Sequence, residues 1–212
     1  MKNCAIISAD IISSTALSVD NLKEMQKCIR DYIDQIEALN GDDIRYWGRI
    51  VKGDSIEIYV RDPKDVLRVA LQLKTLVMQH NTNGLRVAIG IGEMREVNRE
   101  LDMMDGDAIY RAGRLLSQMS SHSKGGKKGN FAADCSDSLL SQQLDAILKL
   151  FDVILRKTTY RQCKIMFYKL MNVKDIDIAK NLEMSTSAVS QHKTSMGWDA
   201  IENMLNYFEQ TL

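Results

Sequence analysis

Two carboxylates stand where a protein can use them. Asp10 closes the run Ala5-Ile6-Ile7-Ser8-Ala9, in which four of five residues are apolar, and three hydroxyl residues, Ser13, Ser14 and Thr15, lead from it towards a helix. An acid at the C-terminal end of a buried strand, beside a helix start, can hold a metal ion and the phosphates that ion carries. The plainer alternative is a strand that stops at an Asp, with Ser13 or Ser14 in a turn. What weighs against the plainer reading is a second carboxylate in a matching setting: Asp54 follows the Lys52-Gly53 turn and opens the alternating run Ser-Ile-Glu-Ile-Tyr-Val.

The elements that must position these acids follow from periodicity. Leu22, Met25, Ile29, Ile33, Ile36 and Leu39 recur at three- and four-residue steps and predict one amphipathic helix from residue 19 to 39, capped by Ser18 or Asp20. Residues 44–51 and 54–60 form two β-like runs around Lys52-Gly53, the pattern of a hairpin, so Asp54 lies at its turn end. Asp62-Pro63 opens a second helix with its stripe on Val66, Val69, Ala70, Leu73, Leu76 and Val77. Residues 85–93 read as a strand, 95–105 as a polar loop and 106–119 as a helix. Residues 120–130, with Lys124, Lys127 and Lys128 among glycines, read as a solvated basic loop, and 131–135 as a last short strand.

The resulting order, β-α-β-β-α-β-α-β, predicts an α+β fold: a ferredoxin-like mixed sheet with helices. Strands then vanish. The expected division is an α/β domain over 1–138 and an all-helical domain over 139–212. A length of 212 residues suits that division.

Lys plus Arg equals Asp plus Glu at 28 each, so any nucleic-acid contact must come from a local patch. No apolar run approaches the roughly 20 residues a membrane span needs. The N-terminus runs straight into a strand and makes a poor signal peptide, and Cys4, Cys28, Cys135 and Cys163 form no CxxC pair. These features predict reduced thiols and a cytoplasmic protein without membrane contact.

The motif order over residues 3–135 resembles the catalytic domain of class III nucleotidyl cyclases. The pieces are Ala9-Asp10-Ile11-Ile12-Ser13-Ser14-Thr15, Lys52-Gly53-Asp54, Leu85 to Glu93, and Gly106-Asp107-Ala108-Ile109-Tyr110-Arg111-Ala112-Gly113-Arg114-Leu115. The two-part architecture also resembles the small bacterial SatD-type proteins. The resemblance implies that Asp10 and Asp54 hold two Mg²⁺ or Mn²⁺ ions, that Ser13, Ser14 and Thr15 cradle the phosphates of a nucleoside triphosphate, and that Arg114 is the transition-state arginine, which reaches across a dimer interface in active members. Two departures stand out. Tyr110 occupies the place of the ribose-orienting Asn, and Ile50 the place of the purine-selecting Lys or Glu, with Arg49 facing away. The resemblance thus implies a degenerate site that binds metal and nucleotide better than it turns them over, with a working metal-dependent cyclase as the alternative.

Behind the predicted sheet, residues 144–155 read as an amphipathic helix, and Thr158 or Thr159 can cap another over 160–171. Residues 175–182 and 185–193 then resemble the helix-turn-helix of sigma-factor region 4. Ile178, Ala179, Leu182 and Val189 would face inwards, Ser185 would cap the second helix, and Thr186, Ser187, Ser190, Gln191 and Lys193 would point outwards to DNA. That family usually has Gly in the turn. Here the residue is Glu183, so the turn is expected to bend otherwise. A last helix with Ile201, Met204, Leu205 and Phe208 is a candidate homodimer contact. The function expected from sequence is a DNA-binding transcriptional regulator with a cyclase-like, nucleotide-sensing and dimerising domain. A helical bundle without DNA is the bland alternative.

Overall fold

The computed structural model describes residues 3–80, 84–121 and 129–211. It is an α+β protein with a mixed five-stranded sheet, and eight α-helices among the described residues. The order along the chain is β1 (Cys4–Ile11), α1 (Val19–Glu37), β2 (Tyr46–Val51), β3 (Ser55–Val60), α2 (Val66–Met78), β4 (Leu85–Gly92), β5 (Met94–Asn98), β6 (Met103–Gly106), α3 (Asp107–Ser121) and β7 (Phe131–Cys135). Five helices follow: α4 (Ser138–Lys157), α5 (Tyr160–Leu170), α6 (Asp175–Asn181), α7 (Thr186–Met196) and α8 (Trp198–Thr211).

In space the strands run β2-β3-β1-β4-β7. β1 lies at the centre, antiparallel to both β3 and β4, and β7 joins β4 in parallel. Successive side chains of a strand point to opposite faces, and β1 shows it. Ala5, Ile7, Ala9 and Ile11 join the main core with α1 and α2, while Cys4 and Ile6 join a smaller cluster with Trp47, Tyr59, Met104, Ala108 and Ala112. α3 lies on this second face, and Gly90 of β4 admits it: a Cβ there would stand 2.6 Å from the Ala112 backbone nitrogen.

Residues 95–105, expected as a loop, instead contribute to the β5–β6 hairpin, whose Met94, Val97 and Met104 cover the second cluster. The basic segment with Lys124, Lys127 and Lys128 lies outside the described residues.

The helical part is not held at arm's length from the sheet. Leu144, Leu148, Phe151 and Leu155 of α4, and Ile165, Met166 and Leu170 of α5, belong to the same core as the strands. Buried polar groups run across as well: Tyr32 on α1 donates to Gln72 on α2 (2.8 Å), and Gln72 donates on to the Leu170 carbonyl of α5 (2.8 Å). Lys74 and Asp152, both nearly fully buried, pair α2 with α4 at 3.8 Å. α8 buries Trp198, Ile201, Leu205 and Phe208 within the chain and ties back through Glu209 to Arg68 on α2 at 2.7 Å. The apolar stripe proposed from sequence as a dimer contact is therefore spent on the chain's own core.

Candidate functional site

The two acids do come together. Asp10 is the penultimate residue of β1 and lies opposite Ser55 of β3, the residue after Asp54. The Ile11 amide donates to the Asp54 carbonyl at 3.1 Å and fixes the loop end of β3 against β1. The Asp10 carboxyl is raised above its ordinary pKa. Burial is the main cause, the nearby charge of Asp54 adds to it, and Arg86 and Ser120 oppose it.

Sequence reading missed what faces Asp10 from the other side. Arg86 is its cross-strand partner on β4, with Nε 3.2 Å from Asp10 Oδ1. Ser120, near the end of α3, donates to Asp10 Oδ2 at 3.1 Å and accepts from Arg86 at 2.6 Å. Arg86 was visible as the lone charge in the run Leu-Arg-Val-Ala-Ile-Gly-Ile-Gly, a polar residue with no use for the core side of a strand. Ser120 carried no signal, because only the tertiary placement of α3 brings it to Asp10.

Ser13, Ser14 and Thr15 do not open a long helix. Ser13 takes a left-handed backbone conformation (φ 57°), Ser14–Ala16 form a single 3-10 turn, and α1 begins only at Val19 with Ser18 as its cap. The Ser14 hydroxyl donates to Asp54 Oδ2 at 2.6 Å, while Ser13 and Thr15 are exposed. The expected phosphate cradle is therefore a single 3-10 turn rather than the N-terminus of a long helix.

Ile50 is also corrected. It packs against the main core on the helix-covered face, and it is Arg49 that shares a face with Asp10, bonded to Glu57 at 2.8 Å and to Asp102 of the β5–β6 turn. Tyr110 is exposed on α3 and donates to Asp105 at 2.8 Å, with Arg95 over its ring. Arg114, one turn further, is exposed. The arginine of α3 that is engaged is Arg111, held by Asp107 (2.6 Å) and Asp134 (3.3 Å).

These contacts decide the fit of a metal. Mg²⁺ and Mn²⁺ need several oxygen ligands, and a guanidinium held by one of those oxygens competes with the metal for it. Here one carboxylate already faces a guanidinium and the other accepts a hydroxyl hydrogen. Among the described residues no group of three or more His, Cys, Asp or Glu is placed to hold a metal. As they stand, with Asp10 countered by Arg86 and Asp54 held by Ser14, the two carboxylates are poorly disposed to share a two-metal centre.

The second candidate surface is the α6–α7 pair. α6 buries Ile178 and Ala179, and α7 buries Val189 and Met196. The Ser185 hydroxyl caps α7 by accepting from the Ala188 amide at 3.2 Å. The connecting turn keeps the geometry a glycine would give: Glu183 itself adopts φ 51°, against the expectation of a different bend. Thr186, Ser187, Ser190 and Gln191 are exposed in a polar row. Lys193 is not among them. Its ammonium donates to Asp175 at 2.8 Å, beside Lys169, and that contact, with the help of Lys169, holds the Asp175 carboxyl below its ordinary pKa. No protein-family model matches the chain, and a search of curated proteins finds no significant match.

Proposed function

We propose that this protein is a DNA-binding transcriptional regulator. α6 and α7 act as its helix-turn-helix, and its sheet region is a degenerate, cyclase-like, ferredoxin-type unit. One observation carries the reading: α7 buries Val189 and Met196 on one side, and on the other exposes the uncharged polar side chains of Thr186, Ser187, Ser190 and Gln191. Side chains of these types suit a major groove, where Gln pairs with the N6 and N7 edge of adenine and Ser or Thr reaches bases or phosphates. Lys193, bound to Asp175, braces α7 against α6. The spatial order β2-β3-β1-β4 with α1 and α2 on one face supports the ferredoxin-type assignment.

The test is binding to genomic fragments that include the gene's own upstream region, over a salt series. Affinity should fall as salt rises. Gln191→Ala should weaken the specific complex about tenfold, in line with one lost base contact. Failure to retain any fragment at low salt refutes the reading.

A second reading, a metal-dependent nucleotidyl cyclase, rests on the adjacency of Asp10 and Asp54. It requires that Mn²⁺ with a nucleoside triphosphate give cyclic product or pyrophosphate above an Asp54→Ala control. Arg86 beside Asp10 and Tyr110 in place of Asn make the regulator the better supported of the two.

A further inference from the structure

α4 is amphipathic twice over. Leu144, Leu148, Phe151 and Leu155 face the core and are buried. On the diametrically opposite side, Leu139, Gln143, Ala146, Leu150, Val153 and Lys157 follow one another at alternating steps of four and three residues, and all six are exposed. Leu139 is 64%, Leu150 68% and Val153 51% accessible. A helix on a domain surface needs one apolar stripe, and a second with a seven-residue repeat is the pattern by which helices pair. Beside Val153 lies a groove whose floor includes Leu115 and Met119 of α3 and whose α4 wall carries Asp145, Lys149 and Arg156.

We propose that this outer stripe is a homodimer interface in which α4 packs antiparallel against α4 of a second copy. Charge and shape select that occupant. The N-terminal end of α4 carries exposed Asp137 and the C-terminal end exposed Lys157. Antiparallel pairing sets each Asp137 near the other copy's Lys157 and opposes the two helix dipoles, whereas parallel pairing would stack lysine on lysine. Around the two-fold, small Ala146 meets large Leu150, so the stripe interlocks with its own copy as an isologous interface must. The helix is 20 residues long, or roughly 30 Å. With the flanking groove it offers on the order of 600 Å² per copy, the lower bound of a specific interface. The inference does not depend on DNA binding, and oligomeric state is read without DNA. If both hold, the dimer carries two α7 helices and demands an operator with two half-sites.

The experiment is sedimentation or light scattering on the full chain at about 50 µM, well above a micromolar Kd. The expected mass is twice 24.0 kDa. Leu150→Glu, at an exposed position, should give a monomer with unchanged far-ultraviolet circular dichroism, and Leu139→Glu should do the same should Leu150→Glu misfold. A wild-type monomer, or a dimer that survives a folded glutamate variant, overturns the proposal. Orientation is read by oxidative cross-linking against a wild-type control for the native thiols. Ala146→Cys, near the centre of α4, should cross-link. Leu139→Cys should not, because its copies lie roughly 25 Å apart along antiparallel helices. The reverse pattern overturns the antiparallel arrangement.

Discussion

Asp10 and Arg86 face each other directly across the β1–β4 ladder, carboxylate to guanidinium at 3.2 Å. The pair lies where two strand ends, the end of α3 and the Asp54 loop converge, so a fixed positive charge from within the chain sits at the point where a phosphate-handling site would recruit a metal. A carboxylate drawn this far from water needs a cation or donors to remain charged. Arg86 supplies the cation and Ser120 a donor to Oδ2, which offset part of the burial, while Oδ1 faces the guanidinium at 3.2 Å without a hydrogen bond.

Removing Arg86 should therefore cost stability. Both side chains retain about a fifth of their exposure (17% and 20%), so the loss belongs between surface and buried pairs, about 1–3 kcal/mol for Arg86→Ala. Combining it with Asp10→Asn should recover part of that loss, because the uncompensated charge is gone. Urea unfolding of the two singles and the double gives the coupling directly, and additive losses would mean that the two residues do not interact.

Millimolar Mn²⁺ should leave the melting temperature of the wild-type chain unchanged. A ligand that binds only the folded state at a hundred times its Kd stabilises by about 2.7 kcal/mol, a shift of several degrees in a chain of this size. Differential scanning calorimetry with and without the ion checks it. A clear upward shift that Asp54→Ala abolishes would restore the metal site and with it the cyclase reading.

Gly90→Ala should be among the most damaging single-methyl changes. The new Cβ would stand 2.6 Å from the Ala112 nitrogen and within contact of the Ala108 carbonyl. Both are helix backbone and cannot swing aside, so α3 must lift from β4 and take Ser120 away from Asp10. A loss of about 1–3 kcal/mol or more is expected, seen as a lowered urea midpoint. Gly113→Ala on the same helix, with open space around it, should be neutral or stabilising.

What the sequence disclosed was set by pattern length. β1, α1, the β2–β3 hairpin, β4 and β7 each repeat their period over enough residues to be read, and the proximity of Asp10 and Asp54 followed from them. The β5–β6 hairpin escaped because Met94–Asn98 is short, polar and mostly unburied, with no glycine turn to mark it. Arg86 and Ser120 escaped as partners because the register of β4 against β1 and the docking of α3 are tertiary facts. The face assigned to Ile50 went astray for a related reason: alternation states that Ile50 and Arg49 point oppositely, but not which of them faces the acids. For α8, the apolar stripe was legible, but nothing in it distinguished its own α2 from a second copy.

Lys74 should give stability an unusual pH dependence. Burial holds its pKa down at about 8 against the opposing pull of Asp152. Between about pH 8 and 10 the unfolded chain keeps this proton and the folded chain has released it, so the Lys74 contribution to stability rises with pH across that window. The full range corresponds to roughly 3 kcal/mol. The slope is best isolated as the difference between wild type and Lys74→Met, because buried Tyr32 and half-buried Tyr46, both raised in pKa, act in the opposite sense at the alkaline end. Parallel pH profiles for the two proteins would refute the assignment.

Glu183 offers a test of the α6–α7 turn that also bears on DNA recognition. It holds φ 51°, a left-handed conformation that costs an ordinary residue about 1–2 kcal/mol and a glycine almost nothing. The extra backbone freedom of glycine in the unfolded chain returns part of that difference, so Glu183→Gly should stabilise by up to about 1 kcal/mol, or a few degrees in melting temperature. Glu183→Val, branched at Cβ, should destabilise by a similar amount or more. The substitution also removes an exposed negative charge three residues before Thr186 on the surface assigned to DNA. If α7 enters a groove, Glu183→Gly should therefore tighten DNA binding more at low salt than at high salt. A stabilised variant with unaltered DNA affinity at every salt concentration would leave the turn geometry intact but remove Glu183, and the turn with it, from the DNA-facing surface.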